Sequence, residues 1–268
     1  ILGLTLYVRV AWAAGPSQHA AVRRFAFMSV GGLAAVLAGA IAGTPTLYWL
    51  WGIAILLDVI ASMLSGETEG WNVHPEHFAE RHGLFVIIAL GESLIVAGGG
   101  LIGAEIDPTL RAVGALTVAL VCALWWSYFD SAKSVLDRAL DEAEGAERTK
   151  LARDNYSLLH FPMILGVIGV AAALEGVVHH PGEPLELAGR LALGTGVALF
   201  TGIMGVALWR ASGRAPVARL ILAAATAAAV VAAAGLAPVA TLAIAFLGVA
   251  ILAGREHGAK DSAASMEI

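Results

Sequence analysis

The sequence predicts an all-α fold, a polytopic transmembrane helix bundle of about eight full spans and one partial span, and three observations predict it. The chain is 59% hydrophobic and 14% charged over 268 residues, with a mean hydropathy of +0.80, too little polar surface to coat a soluble globule of this size. Apolar segments recur at lengths near the ~20 residues that a ~30 Å hydrocarbon core demands of a helix, without the period-2 alternation of a barrel. Lysine and arginine then segregate into alternate connections, as they do in a multi-pass protein with one face in the cytoplasm.

The segments run at about 1–14, 25–43, 46–64, 84–102, 111–132, 158–178, 187–209, 216–234 and 238–253. The first is incomplete: the chain opens on Ile1-Leu2-Gly3-Leu4, already apolar, without the Met and basic stretch of a signal peptide, and an N-terminal truncation is expected. Pro45, Pro75, Pro108, Pro184, Pro216 and Pro238 each stand where a helix would begin, the position at which a missing N–H costs nothing. Asp107, ahead of Pro108, is the expected N-cap of the fifth segment. Pro162 falls inside a segment, close to its start.

One set of connections holds Arg23, Arg24, Arg81, Lys133, Arg138, Arg148, Lys150, Arg153, Arg210, Arg214, Arg219, Arg255 and Lys260, the opposite set only Arg111 and Arg190. The first set faces the cytoplasm on this reading, and the C-terminus with it. Tyr48, Trp49 and Trp51 at one boundary, and Trp125, Trp126, Tyr128 and Phe129 at another, suit aromatic belts. Between residues 131 and 156, Ala132, Val135, Leu136, Ala139, Leu140 and Ala143 recur at helical spacing among charges, which predicts a continuous amphipathic rod in the cytoplasm. The domain reading is thus a membrane domain over 1–254 and a cytoplasmic tail over 255–268.

Ionisable groups within the spans carry the functional information, because a carboxylate at the bilayer centre costs at least ~2.5 kcal/mol. Asp58 and Glu92 are two such groups, each expected roughly 10 Å deep at 1.5 Å per residue and placed to face each other across one helical hairpin. His77, Glu80 and Arg81 share i, i+3, i+4 spacing, and Arg81 and Glu92 align within about 20° on one helical face. That face is expected to line a polar pathway, with Ser93 beside Glu92; the competing reading is that the charges pair and hold helices in register. Gly91 and the Gly98-Gly99-Gly100 run permit close approach or local unwinding, packing being the commoner reason for such residues. Gly194, Ala198 and Gly202 form a small-residue ridge assigned to helix packing.

Asp130, His160, Glu175 and His180 are secondary candidates near span ends, Asp130 being expected in an ion pair with Lys133. His77 with Glu80, or Glu175 with His179, offers two ligands and no more, so no metal is expected. Cys122, the single cysteine, sits in an apolar run and reads as a buried inert thiol. No nucleophile elbow, Walker loop, dinucleotide fingerprint or HExxH is present, so no catalytic residue and no cofactor is assigned. A net charge of -5 gives no ground for a nucleic-acid partner; the expected partners are the lipid bilayer and a proton, cation or small solute.

The stretch from His77 to Ser93, His-Phe-Ala-Glu-Arg-His-Gly-Leu-Phe-Val-Ile-Ile-Ala-Leu-Gly-Glu-Ser, resembles the signature of the bacterial low temperature requirement A (LtrA) family. Tyr156-Ser157-Leu158-Leu159-His160-Phe161-Pro162, continuing to Glu175 and His180-Pro181, is similar to a later region of that family. The resemblance implies a polytopic protein of the bacterial inner membrane associated with growth in the cold. The acidic and aromatic motif that precedes the family's first helix is missing, and His82 stands where the family pattern has an aromatic residue. Movement of a proton, ion or small solute past Glu92 and Asp58 is the expected function. A non-transporting scaffold or cold-adaptation sensor, and a membrane-embedded lipid-modifying enzyme, are the alternatives.

Overall fold

The computed structural model of the chain describes residues 5, 6, 9, 16–65, 74–102 and 105–264. It is helical throughout, with no strand among the described residues. The helices are α1 (Pro16–Ala42), α2 (Thr46–Ser65), α3 (Pro75–Gly99), α4 (Pro108–Trp126), α5 (Lys133–Glu142), α6 (Gly145–Leu151), α7 (His160–His179), α8 (Leu187–Ser212), α9 (Val217–Ala232) and α10 (Pro238–Ala264). Two π-helical turns, Ser127–Ala132 and Ala152–Leu158, join α4 to α5 and lead from α6 toward α7. Among the described residues, seven helical stretches are long and apolar enough to cross a membrane, and α9 is a shorter apolar helix of 16 residues. The expected partial span over 1–14 lies largely outside the described residues.

The helix starts follow the prolines closely. Pro75, Pro108 and Pro238 open α3, α4 and α10, and Pro216 caps α9. Asp107 accepts a hydrogen bond from the Leu110 amide at 2.7 Å, satisfying a donor that the first turn would leave orphaned. Gly213, at φ 69°, ends α8 in the left-handed conformation that only glycine adopts without strain, its N–H donating to the Trp209 carbonyl. α3 begins nine residues ahead of the apolar segment at 84–102, so His77, Glu80, Arg81 and His82 belong to the same helix as Glu92.

The chain divides into two compact units, residues 1–75 with 140–158 and residues 76–139 with 159–268. In the first, α1 packs along α2. A methyl group at Gly39 would sit 3.2 Å from Leu50 and Trp51, and one at Gly32 3.4 Å from the Ala54 carbonyl, so the glycines let the two backbones approach. Trp51 donates from Nε1 to the Val36 carbonyl, and Arg153 reaches the Met63 carbonyl from the second π turn. The amphipathic rod expected over 131–156 is broken: α5 ends at Glu142, and Gly145 turns the chain at φ 53°. Arg148 donates to the carbonyls of Ala143 and Asp141, satisfying the acceptors that the break exposes.

The second unit holds a contiguous core that includes Val86, Leu90, Leu120, Leu124, Met163, Val167, Leu193, Phe200, Met204 and Leu242. Helices α7 and α8 cross at a pair of glycines. A Cβ on Gly166 would lie 2.6 Å from the Gly196 carbonyl, and a Cβ on Gly196 2.7 Å from the Gly166 carbonyl. Without a hydrophobic effect between helices in lipid, such close van der Waals contact is what drives their association. Gly194, in the ridge assigned to packing, lies against the Ala227 backbone of α9 in the same way.

Two expectations about single residues change. Cys122 is exposed, because α4 turns Val121, Ala123 and Leu124 inward and this side chain out. Tyr128, expected in an aromatic belt, is wholly buried, because the π turn rotates it away from the surface that Trp125 occupies.

Candidate functional site

In the second unit, α3, the π turn after α4 and the start of α7 bring three titratable rings together. The Tyr128 hydroxyl lies 2.9 Å from Nε2 of His160, and both side chains are buried. The His82 ring stands edge-on to His160 with centroids 5.4 Å apart. His82 donates from Nδ1 to the Phe78 carbonyl at 2.8 Å, which leaves Nε2 as its proton-accepting atom. Gly83 faces the π turn, where an added Cβ would lie 3.3 and 3.6 Å from the side-chain ends of Lys133 and Phe129. A π turn widens the helix by one residue per turn and is frequent at functional sites; here it carries Tyr128.

The edge of this cluster is charged. Asp130 accepts from His257 Nδ1 of α10 at 3.1 Å, and His257 stands 5.8 Å from the Trp126 ring, centroid to centroid. Lys133 pairs with Asp137 one helical turn on, so the ion pair expected between Asp130 and Lys133 gives way to two other pairings.

The remaining sequence-derived residues fall on two faces of α3 and elsewhere. His77, Glu80, Arg81 and Glu92 are exposed, and His77 and Glu80 approach within 3.9 Å. Ser93 is buried and donates to the Ala89 carbonyl at 3.0 Å. His82 and Ser93, eleven residues apart, share the inward face, while Arg81 and Glu92, also eleven apart, share the outward one. Space is open beside Gly91, Gly98 and Gly99, where a Cβ would meet nothing within 4 Å, whereas Gly100 lies against His179. Asp58, in the first unit, is exposed and accepts from the Ser29 hydroxyl at 3.3 Å. Glu175 and His180 are exposed near the far end of α7, and His179 donates from Nδ1 to the Glu175 carbonyl. No group of three or more metal-ligating side chains occurs among the described residues.

In the sequence His160 is a secondary candidate, Tyr128 an interfacial aromatic and His82 a departure from a family pattern. Their convergence depends on the π turn, and no periodicity of the sequence marks where a helix changes its hydrogen-bond ladder.

The family model for bacterial low temperature requirement A protein (LtrA) matches residues 1–254. An uncharacterized protein, RA0937, of Rhizobium meliloti (strain 1021) is 28% identical over 144 residues, which cover 49% of this chain and 34% of that relative. The alignment thus takes in about a third of the relative's length. No solved structure matches the chain.

Proposed function

Because the chain belongs to the bacterial low temperature requirement A family and its apolar helices make it a multi-pass membrane protein, we propose that it moves protons or a small cation across the bilayer. The observation that carries this reading is the buried Tyr128–His160 hydrogen bond with His82 beside it and the Asp130–His257 pair at its edge. Titratable groups in such a place are expensive, and chains of them mark proton and ion paths. In such a path the Tyr128 hydroxyl gives its proton to His160 Nε2 as it takes another from the donor that enters the path, and His160 releases one from Nδ1 toward His82, whose Nε2 is the open acceptor. Glu92, on the same helix as His82, lies about 10 Å from the Gly99 end of α3 at 1.5 Å per residue and holds the transported charge at membrane depth. Ser93, next in the chain, stays a candidate on the inward face, where its hydroxyl donates to the Ala89 carbonyl. His77, Glu80 and Arg81 form the mouth on the outward one.

Asp58, on α2 of the first unit, is a second candidate carboxylate, and Asp130, Glu175 and His180 are candidates near the ends of the spans. The membrane is the bacterial inner membrane, with the arginine-rich connections and the C-terminus in the cytoplasm.

Reconstitution into proteoliposomes with an imposed proton gradient tests the reading. The chain dissipates the gradient, and His160→Gln, compared at matched thermal stability, abolishes the dissipation. Silence of both proteins under gradients of protons and of common cations sinks the proposal and leaves the scaffold or sensor reading, in which these groups only hold helices together.

A further inference from the structure

Between α9 and α10 lies a cavity of about 520 Å³ lined by Pro216, Val217, Ala218, Arg219, Leu222, Leu252, Arg255, Glu256 and Ala259. Its charge is unbalanced: two guanidinium groups face one carboxylate. Arg219 is buried, with 1% of its side chain exposed. Its Nη1 meets both carboxylate oxygens of Glu256 at 2.7 and 2.6 Å, its Nε donates to the Thr201 carbonyl at 2.9 Å, and its Nη2 has no hydrogen-bond partner. Glu256 therefore offsets Arg219, and the exposed Arg255 supplies the surplus positive charge.

The backbone adds to it. α9 opens on Pro216 without a side-chain cap, and the first amide to close onto the helix is that of Leu220, which donates to the Pro216 carbonyl. The amides of Ala218 and Arg219 precede that bond, in the turn where a helix carries its partial positive charge and its unsatisfied donors. An uncapped helix start, a buried guanidinium with an unpartnered nitrogen and a free arginine thus border one cavity. That combination selects an anion with several acceptor oxygens.

The walls say what is attached to the anion. Val217 and Ile221 present exposed apolar side chains along α9, and Leu222 and Leu252 line the cavity itself. On α10 the change from Leu252 to Arg255 and Glu256 occurs within one helical turn, as it does from apolar core to headgroup layer in a bilayer. At about 24 Å for 16 residues, α9 is shorter than a ~30 Å hydrocarbon core.

We propose that this cavity is a binding site for an anionic phospholipid, the phosphodiester held by Arg255 and the first-turn amides of α9 against Arg219, and the acyl chains lying along Val217, Ile221 and Leu222. A singly charged phosphodiester brings the cavity to neutrality.

The test is native mass spectrometry and thermal unfolding of the purified chain in detergent with added dioleoyl phosphatidylglycerol, dioleoyl phosphatidylcholine or inorganic phosphate. Phosphatidylglycerol stays bound and raises the unfolding temperature, while phosphatidylcholine and inorganic phosphate do neither. Arg255→Gln, at an exposed position that leaves the fold intact, weakens phosphatidylglycerol binding roughly fivefold, the contribution of one basic residue near a lipid surface. Arg255→Lys retains most of it. Equal binding of the two lipids, or unchanged binding by Arg255→Gln, overturns the site. Stabilisation by inorganic phosphate equal to that by phosphatidylglycerol overturns the assignment to a lipid.

Discussion

The Tyr128 hydroxyl and the His160 imidazole satisfy each other in a place that water and lipid headgroups do not reach, so removing either leaves a buried polar atom without this partner. Tyr128→Phe is expected to cost about 1–3 kcal/mol, read as a lower unfolding temperature in detergent. The change also removes the hydroxyl from the proposed relay. A destabilised but fully conducting Tyr128→Phe variant would confine the hydrogen bond to a structural role. Glu92 behaves differently, since its side chain is exposed on the outward face of α3 and holds no helix together within its own unit. Glu92→Gln is accordingly expected not to lower the unfolding temperature, since it breaks no contact within the unit and removes a carboxylate from the apolar layer, while stopping proton or cation flux.

At the scale of the element, the α7–α8 crossing rests on backbone contact at Gly166 and Gly196, and a backbone atom cannot move aside as a flexible side chain can. Gly196→Ala is expected to destabilise the chain by about 1–3 kcal/mol, measured by thermal unfolding, whereas Gly91→Ala, with nothing within 4 Å, is expected to change little. These elements were largely legible in the sequence, because hydropathy and proline placement are local and the bilayer imposes one length on every span. The segments at 187–209, 216–234 and 238–253 correspond to α8, α9 and α10. What did not show was anything set by a change of helix type. The two π turns, the break at Gly145 and the inward rotation of Tyr128 arise from a choice of hydrogen-bond ladder that residue periodicity does not encode. Glu92 was legible as an ionisable group inside an apolar segment and His77 by its helical spacing to Glu80 and Arg81; His82 was not, because its place in the cluster comes from a neighbour 78 residues further along the chain, His160.

For the whole molecule, the distribution of lysine and arginine predicts one orientation in the membrane. In a Cys122→Ala background, a cysteine at Glu183, in the α7–α8 connection, is expected to react with an impermeant maleimide in intact cells, and one at Ser212 only after permeabilisation. The reverse pattern would invert the topology and, with it, the sidedness assigned to the mouth at His77 and Arg81. Gradient-driven flux through proteoliposomes containing the chain, its Glu92→Gln variant and its His160→Gln variant at matched thermal stability is the deciding measurement. Flux of protons or a small cation is expected in the wild type and none in either variant; equal flux in all three, or none in the wild type under every imposed gradient, would rule out conduction through Glu92 and His160.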